Sequence, residues 1–190
     1  MQKIMFNDRY GLTQAVIEGR KTMTRRLIPD EFFGLTWDTR GNTLVYENEY
    51  GDFIDVRLSK YTRYKVGEIV SVAQNYSSFY NILDNTRPIP EGAGWDNKMF
   101  VRADLMPHRI RITGIKCERL QDIQDADCLK EGVRYIPKIN KFYFEDVHRE
   151  EGFYFDNHRE AFAALIDKVS GRGTWASNPW VVVYEFELVK

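Results

Sequence analysis

The clearest pattern along the chain is an alternation of apolar and polar side chains near its end. One face carries Val182, Tyr184, Phe186 and Leu188, and the other carries Glu185 and Glu187. A period of two residues is typical of a β-strand with one buried face. The segment from His108 to Cys117 alternates in the same way until Gly114 shifts the phase. We therefore predict a second strand with a bulge at that glycine.

A longer spacing of apolar residues predicts helices. The longest helix is expected after Asn157, with Asn157 and Glu160 as a capping box and Gly171 at its end. Its apolar stripe consists of Phe162, Leu165, Ile166 and Val169. A shorter helix is predicted from about Asp125 to Glu131, with Gly132 just beyond it.

The start of the chain predicts a strand, a helix and a second strand. Residues 3–6 have the pattern of a short strand, and Asn7 or Asp8 is expected to cap the helix that follows. Gly19 is expected to end this helix. Residues 22–27 are rich in threonine and alternate, which predicts a strand that leaves the helix at a sharp corner.

These elements indicate one α+β domain. The chain has 190 residues, of which 43% are hydrophobic and 14% aromatic, enough for a single sizeable core over residues 1–190. A hairpin is predicted from residues 43–46 to residues 53–56, within a glycine-rich stretch that interrupts the main pattern.

The charge balance excludes a protein that coats nucleic acid non-specifically. Lys and Arg total 27 against 28 for Asp and Glu, so any contact with nucleic acid has to be local. The two cysteines and the scattered histidines lack the spacing of a metal site, and we expect neither a metal nor another cofactor. No apolar run is long enough for a signal peptide or a membrane span, which predicts a cytoplasmic protein without a membrane partner.

Four segments, in their order and spacing, resemble the ASCH family of the PUA-like superfamily, in particular its longer members from bacteria and phages. The segments are Ile17–Arg26, Tyr64–Val70, Arg109–Ile123 and Asn178–Val181 with the strand that follows. The resemblance implies a small mixed β-barrel with flanking helices. It also implies two or three insertions, at about residues 28–63, 77–98 and 134–156.

The resemblance extends to a possible catalytic set. Small ASCH proteins include amidohydrolases that act on N4-acetylcytidine through a Lys, a Thr and a Glu. The motif Gly-x-Lys-x-x-Thr places Lys21 and Thr24 at the first two of these positions, and Glu131 is similar to the third through a looser helix match. Where the shortest hydrolases have Thr-x-Arg, Arg26 keeps the arginine position and Arg25 is an added charge.

The chemistry of this set makes geometric demands. A threonine hydroxyl needs a base to take its proton, and a lysine can serve if burial or nearby cations lower its pKa. Residues three apart face opposite sides of an ideal strand, so Lys21 and Thr24 can meet only if the chain bends just after Gly19. Glu131 lies at the negative end of its helix and is expected to be either solvated or paired, with Lys21 as the candidate partner. Without the resemblance, the same run of charges reads as a solvated strand face.

Further residues are expected to bind a ligand or nucleic acid. They are Arg20, Arg25, Arg26, Arg109, Arg111 and Trp180. Arg109 and Arg111 read equally well as an exposed strand face, and Trp180 as a residue packed at the barrel edge. Two functions stay open: a module that binds RNA, a nucleoside or a nucleotide, and a metal-independent amidohydrolase of N4-acetylcytidine or a related base. A ribonuclease ranks below both, because the histidines do not form a pair suited to acid–base catalysis.

Overall fold

A computed structural model describes residues 1–28, 34–59, 62–80, 92–149 and 152–189. In chain order its helices and strands are β1 (Lys3–Ile4), α1 (Leu12–Ile17), β2 (Met23–Leu27), β3 (Thr36–Asp38), β4 (Thr43–Glu47), β5 (Phe53–Asp55), β6 (Ile69–Val72), β7 (Arg109–Arg119), α2 (Asp125–Lys130), β8 (Arg134–Ile136), β9 (Lys141–Phe144), β10 (Phe153–Phe155), α3 (His158–Ser170), α4 (Thr174–Ser177) and β11 (Trp180–Val189). This mixture of sheets and helices confirms the predicted α+β class.

The main sheet has five strands in the order β1-β6-β7-β11-β2. Its centre is the long antiparallel pair of β7 and β11, which runs from Trp180 opposite Arg119 to Val189 opposite Arg109. Strand β1 pairs in parallel with β6, and β2 pairs antiparallel with β11. Among the residues that the structure describes, no ladder of backbone hydrogen bonds joins β1 to β2. The sheet therefore has two edges in these ranges and does not close by strand pairing.

Side chains bridge the gap between the two edges. Arg26 of β2 donates a hydrogen bond to the backbone oxygen of Met5, just after β1, at 2.6 Å. The Phe6 ring lies 5.7 Å from the ring of Phe186 on β11. Because residues after β1 reach both β2 and β11, the sheet must be strongly curved.

The predicted bulge in β7 is present. Gly114 lies opposite Glu185, whereas Ile112 lies opposite Phe186, so Thr113 is the extra residue. A bulge of this kind adds local twist to a strand. Beyond it, β11 alternates as predicted, with Phe186 buried and its two glutamate neighbours exposed.

Two smaller sheets lie in ranges that were expected to be insertions. The hairpin of β4 and β5 confirms its prediction, and β3 joins it to make three antiparallel strands. The second sheet has the order β10-β9-β8 and packs on α3 through aromatic side chains of β9 and β10. In the remaining expected insertion, residues 81–91 lie outside the described residues.

The prediction for the start of α1 was wrong. The helix begins at Leu12, after Gly11 with a φ of 64°, and neither Asn7 nor Asp8 is its N-cap. Asn7 instead accepts a hydrogen bond from the backbone of Tyr10 at 3.3 Å, and Asp8 accepts one from the hydroxyl of Thr13. The two polar side chains thus stabilise the turn that precedes the helix.

The predicted ends of α2 and α3 and the N-cap at Asn157 agree with the structure. The side chain of Asn157 accepts a hydrogen bond from the backbone of Glu160 at 2.8 Å, as expected of an N-cap, and α3 ends before Gly171. Helix α2 is followed by Glu131 and then by Gly132, whose φ of 109° is unfavourable for other residues. In the described parts of the chain, no helix combines the length and the apolar content that crossing a bilayer requires.

The hydrogen bond from Asn157 gives a test of the fold. We expect Asn157→Ala to lower the free energy of unfolding by about 1 kcal/mol, because a backbone amide of α3 then loses its partner. Asn157→Asp is the matched control and should keep most of the stability, since Asp caps helices about as well as Asn. Urea unfolding followed by circular dichroism measures both, and equal stabilities of the Ala and Asp variants would contradict the assigned cap.

Candidate functional site

The corner between α1 and β2 is held by backbone hydrogen bonds. The amides of Arg20 and Lys21 both donate to the backbone oxygen of Ala15 at 2.9 Å, and the amide of Thr22 donates to that of Lys130 at 3.0 Å. Gly19, with a φ of 73°, provides the bend. Lys21 therefore precedes β2, and strand alternation does not separate it from Thr24.

Lys21 and Glu131 form a buried ion pair. The ammonium of Lys21 donates to Oε2 of Glu131 at 2.7 Å and to the backbone oxygen of Glu131, also at 2.7 Å. Lys21 is 2% exposed and Glu131 is 4% exposed. This pairing is the one predicted from the position of Glu131 at the negative end of α2. Burial lowers the pKa of the Lys21 ammonium, even though Glu131 opposes the change.

Arg25 holds the other oxygen of the same carboxylate. Its Nη1 lies 2.8 Å from Oε1 of Glu131, and its Nη2 lies 2.6 Å from Oε1 of Glu118 and 3.4 Å from Oδ2 of Asp127. No part of the Arg25 side chain is exposed. Three carboxylates hold the guanidinium in the interior, so Arg25 is not part of an exposed surface that could contact phosphates.

Two lysines complete this ion-pair network. Lys116 lies 2.9 Å from Glu118, and Lys130 lies 3.0 Å from Asp127. Although burial acts in the opposite direction, the hydrogen bond from Lys130 and the nearby cations lower the pKa of Asp127. With Lys21 and Arg25 the network contains four cations and three carboxylates, which leaves a net charge of +1.

A cavity of about 190 Å³ lies beside the network. Lys21, Thr24 and Glu131 all line it, together with Arg25 and Arg26. Its apolar wall includes Phe6, Leu12, Phe162, Leu165, Ile166 and Val169. Thr24 is 5% exposed. In the ranges that the structure describes, the hydroxyl of Thr24 forms no hydrogen bond. The cavity therefore has an apolar surface, and its lining includes both an unused hydroxyl and a paired lysine.

The ring of Phe6 lies close to the charged groups of both Lys21 and Arg26. The Nζ of Lys21 lies 5.9 Å from the centroid of the Phe6 ring, and the Cζ of Arg26 lies 5.8 Å from it. Both distances are within the range of cation–π attraction. The ring thus lies against two cations at the edge of the cavity.

The other predicted binding residues lie away from this cavity. Arg20 forms an ion pair with Glu18 at 2.5 Å. Arg109 and Arg111 are exposed on β7, and Arg111 lies 3.6 Å from Glu187. Arg109 and Arg111 face Val189 and Glu187 on β11, whereas Arg25 and Arg26 face Val183 and Val182. At about 3.3 Å per residue, four to seven positions along a strand separate the two groups by roughly 13–23 Å.

Trp180 is packed rather than placed in the cavity. Its ring stacks on Trp37 of β3, with centroids 5.9 Å apart and an angle of 3° between the planes. The guanidinium of Arg119 lies 4.3 Å from the Trp180 centroid. Trp180 is therefore a packing residue, as the alternative interpretation has it. It does not line the cavity that Lys21 lines.

In the described ranges the candidate metal ligands lie apart and both cysteines are buried. No three His, Cys, Asp or Glu side chains come together there in a way that could hold a metal ion. Cys117 and Cys128 are buried free thiols, and burial raises the pKa of Cys117 to about 12 and that of Cys128 to about 11. Neither thiol is activated as a nucleophile.

Comparisons of the chain with protein-family models, with curated proteins and with solved structures give no match. The support for a site at Lys21, Thr24 and Glu131 therefore comes from the geometry of the cavity and from the Gly-x-Lys-x-x-Thr motif.

The network predicts an unequal effect of two arginine substitutions. Arg25→Met should lower the free energy of unfolding by about 3–5 kcal/mol, because it leaves buried carboxylates without their cation. Arg20→Met is the control, and its exposed pair with Glu18 should contribute at most about 1 kcal/mol. Chemical unfolding of both variants measures the difference, and similar losses would show that the buried network does not support the fold.

Proposed function

We propose that this protein is a PUA-like ASCH domain that binds a nucleoside or nucleotide, either free or within RNA, in the cavity lined by the Gly-x-Lys-x-x-Thr segment. The observation that carries the proposal is that Lys21, Thr24 and Glu131 line one cavity although Glu131 is far from the other two in sequence. The curved five-stranded sheet supports the PUA-like part of the proposal, with the gap between β1 and β2 as a departure from a closed barrel.

The size of the cavity fits one small ring. A protein cavity of roughly 150 Å³ can hold benzene, and typical sites for drug-sized ligands begin at about 300 Å³. At about 190 Å³, the cavity suits a six-membered ring with a small substituent. A pyrimidine base has this size, and its sugar would extend toward the opening.

The lining groups suit a base that is polar at its edge and apolar on its faces. Phe162 and Leu165 offer apolar surface to the face of a ring. The hydroxyl of Thr24 can donate to or accept from the edge of a base. A protonated Lys21 donates two hydrogen bonds to Glu131 and retains a third N–H for a carbonyl oxygen of the ligand.

The arrangement of arginines favours recognition of one nucleotide unit over a long RNA footprint. Arg25 is buried, and Arg109 and Arg111 lie far along the sheet from the cavity. These arginines therefore do not form the continuous surface of phosphate contacts that a long RNA footprint needs.

Binding can be tested with cytidine as an uncharged probe. Thr24→Val keeps the shape of the side chain and removes its hydroxyl, so we expect cytidine to bind about tenfold more weakly. Thr22→Val is the matched control, since Thr22 does not line the cavity, and it should bind like the wild type. Isothermal titration calorimetry measures both, and undetectable binding by the wild-type protein would reject cytidine as a ligand.

One observation favours a second function, the hydrolysis of an N4-acylated cytidine. A neutral amine has two N–H groups and one lone pair. Glu131 accepts two hydrogen bonds from Nζ of Lys21. In the neutral form the lone pair of Lys21 is then left for the proton of the Thr24 hydroxyl, and burial favours that form by lowering the pKa of Lys21.

The proposed reaction has two stages. In the first, Oγ1 of Thr24 attacks the acyl carbon while Lys21 takes the hydroxyl proton. The tetrahedral intermediate then collapses, the C–N bond breaks, and Lys21 returns the proton to the leaving N4 amine. In the second stage water attacks the Thr24 ester, with Lys21 again moving the proton, which releases the carboxylic acid and restores the hydroxyl. Glu131 orients Lys21, and Arg26 or a backbone amide stabilises the oxyanion.

Hydrolysis is tested by release of cytidine from N4-acetylcytidine, measured by chromatography. Lys21→Ala and Thr24→Ala should each remove most turnover, and the double variant should be little worse, because the two residues act as one unit. Glu131→Gln should have a milder effect, since its role is orientation. Thr22→Val should be fully active, and a chelator should leave the rate unchanged. Full activity of Thr24→Ala would refute the nucleophile, and an inactive wild type would refute this substrate.

A further inference from the structure

A second cleft lies between the edges of the main sheet, where β1 and β2 face each other. Its volume is about 440 Å³. It is lined by Lys3, Met5, Arg26, Leu27, Ile28, Arg63, Tyr64, Val182 and Tyr184. Among its described lining residues are three cations, Lys3, Arg26 and Arg63, and no carboxylate. A cleft of this composition attracts anions.

Backbone oxygens hold two of the three cations in place. Nζ of Lys3 donates to the oxygens of Met99 and Val101 at 2.6 and 2.7 Å. Arg26 donates to the oxygen of Met5 at 2.6 Å. These oxygens are neutral, and no carboxylate of the described residues forms an ion pair with Lys3 or Arg26, so N–H groups remain for a ligand.

The third cation, Arg63, is exposed at the rim. Its guanidinium lies 5.7 Å from the centroid of the Tyr64 ring. In the described residues, none of Lys3, Arg26 and Arg63 forms an ion pair. The carboxylate of Glu68 does not line the cleft, and it accepts hydrogen bonds from the side chain of Gln2 at 2.9 Å and from the amide of Lys65 at 3.0 Å.

Arg63 repels the other two cations. Burial lowers the pKa of Lys3, and the charge of Arg63 lowers it further. Arg63 acts in the same direction on Arg26, whose pKa is lowered chiefly by burial. An anion bound between Arg63 and the other two cations would relieve this repulsion.

We infer that this cleft binds the phosphate group of a nucleotide. A phosphate monoester carries a charge of about −1.5 to −2 and three strong acceptor oxygens, which matches three cations with free N–H groups. Met5, Arg26 and Leu27 line both this cleft and the cavity beside Lys21. A nucleotide can therefore place its phosphate in the cleft and its base beside Thr24. This second step rests on the proposed function, whereas phosphate binding in the cleft does not.

The phosphate site is tested first with inorganic phosphate. Calorimetric titration at fixed ionic strength, with chloride as the reference salt, should show binding to the wild-type protein. Arg63→Glu reverses a charge on an exposed residue, and we expect it to weaken binding about tenfold or more. Lys65→Glu is the matched control, because Lys65 is also exposed but does not line the cleft, and it should bind as the wild type does. Lys3→Met should weaken binding as well.

Two outcomes would overturn the phosphate site: no binding of phosphate by the wild type, or equal losses in Arg63→Glu and Lys65→Glu. Thermal unfolding without phosphate checks that the variants are folded.

A second titration compares cytidine, cytidine 5′-monophosphate and a short single-stranded oligoribonucleotide. We expect the monophosphate to bind more tightly than either cytidine or phosphate, and Arg63→Glu to remove the advantage over cytidine. Tighter binding of the oligonucleotide than of the monophosphate would identify RNA as the source of the phosphate. A monophosphate that binds no more tightly than phosphate would overturn the nucleotide assignment. Phosphate binding without any cytidine binding would reject cytidine as the ligand of the cavity beside Lys21 and leave the phosphate site intact.

Discussion

The carboxylate of Glu131 is the interaction on which the rest of the site depends. One oxygen binds Lys21 and the other binds Arg25, so a single residue after α2 fixes one cation just before β2 and one within it. If Glu131 had only one of these partners, the folded state would be far less stable, because the cost of desolvating a charge is offset only when its hydrogen bonds are satisfied. The ion pairs therefore hold α2 against β2 and orient Lys21 at the same time.

Sequence patterns predicted the elements that have one buried face or a local cap. The alternation in β11 and the phase shift at Gly114 are each visible within a single strand, and the cap at Asn157 joins residues that are close in sequence. The start of α1 was mispredicted, because Asn7 has two ways to use its oxygen and stabilises a turn instead. The gap between β1 and β2 could not be predicted from local patterns, since it results from the long-range curvature of the whole sheet.

The candidate site was predictable only in part, for a related reason. The motif pointed to Lys21 and Thr24, and the dipole of α2 pointed to a partner for Glu131. The pairing of Arg25 with Glu118 was missed, because a charged residue in a run of charges is expected to be exposed. Only the strand register brings these two together, with Arg25 opposite Val183 and Glu118 opposite Val181 on β11.

The protonation state of Lys21 distinguishes the two functions that the cavity can support. A site that only binds gains from an ammonium, since its third N–H can hold a carbonyl oxygen of the ligand. A hydrolase needs the amine, because the lone pair has to accept the proton of Thr24. Glu131 favours the ammonium, whereas burial and the nearby arginines favour the amine. A ligand that fills the cavity and excludes water strengthens both the effect of Glu131 and the effect of burial on the pKa of Lys21. The charge distribution of the ligand beside Lys21 then decides whether the ammonium or the amine prevails.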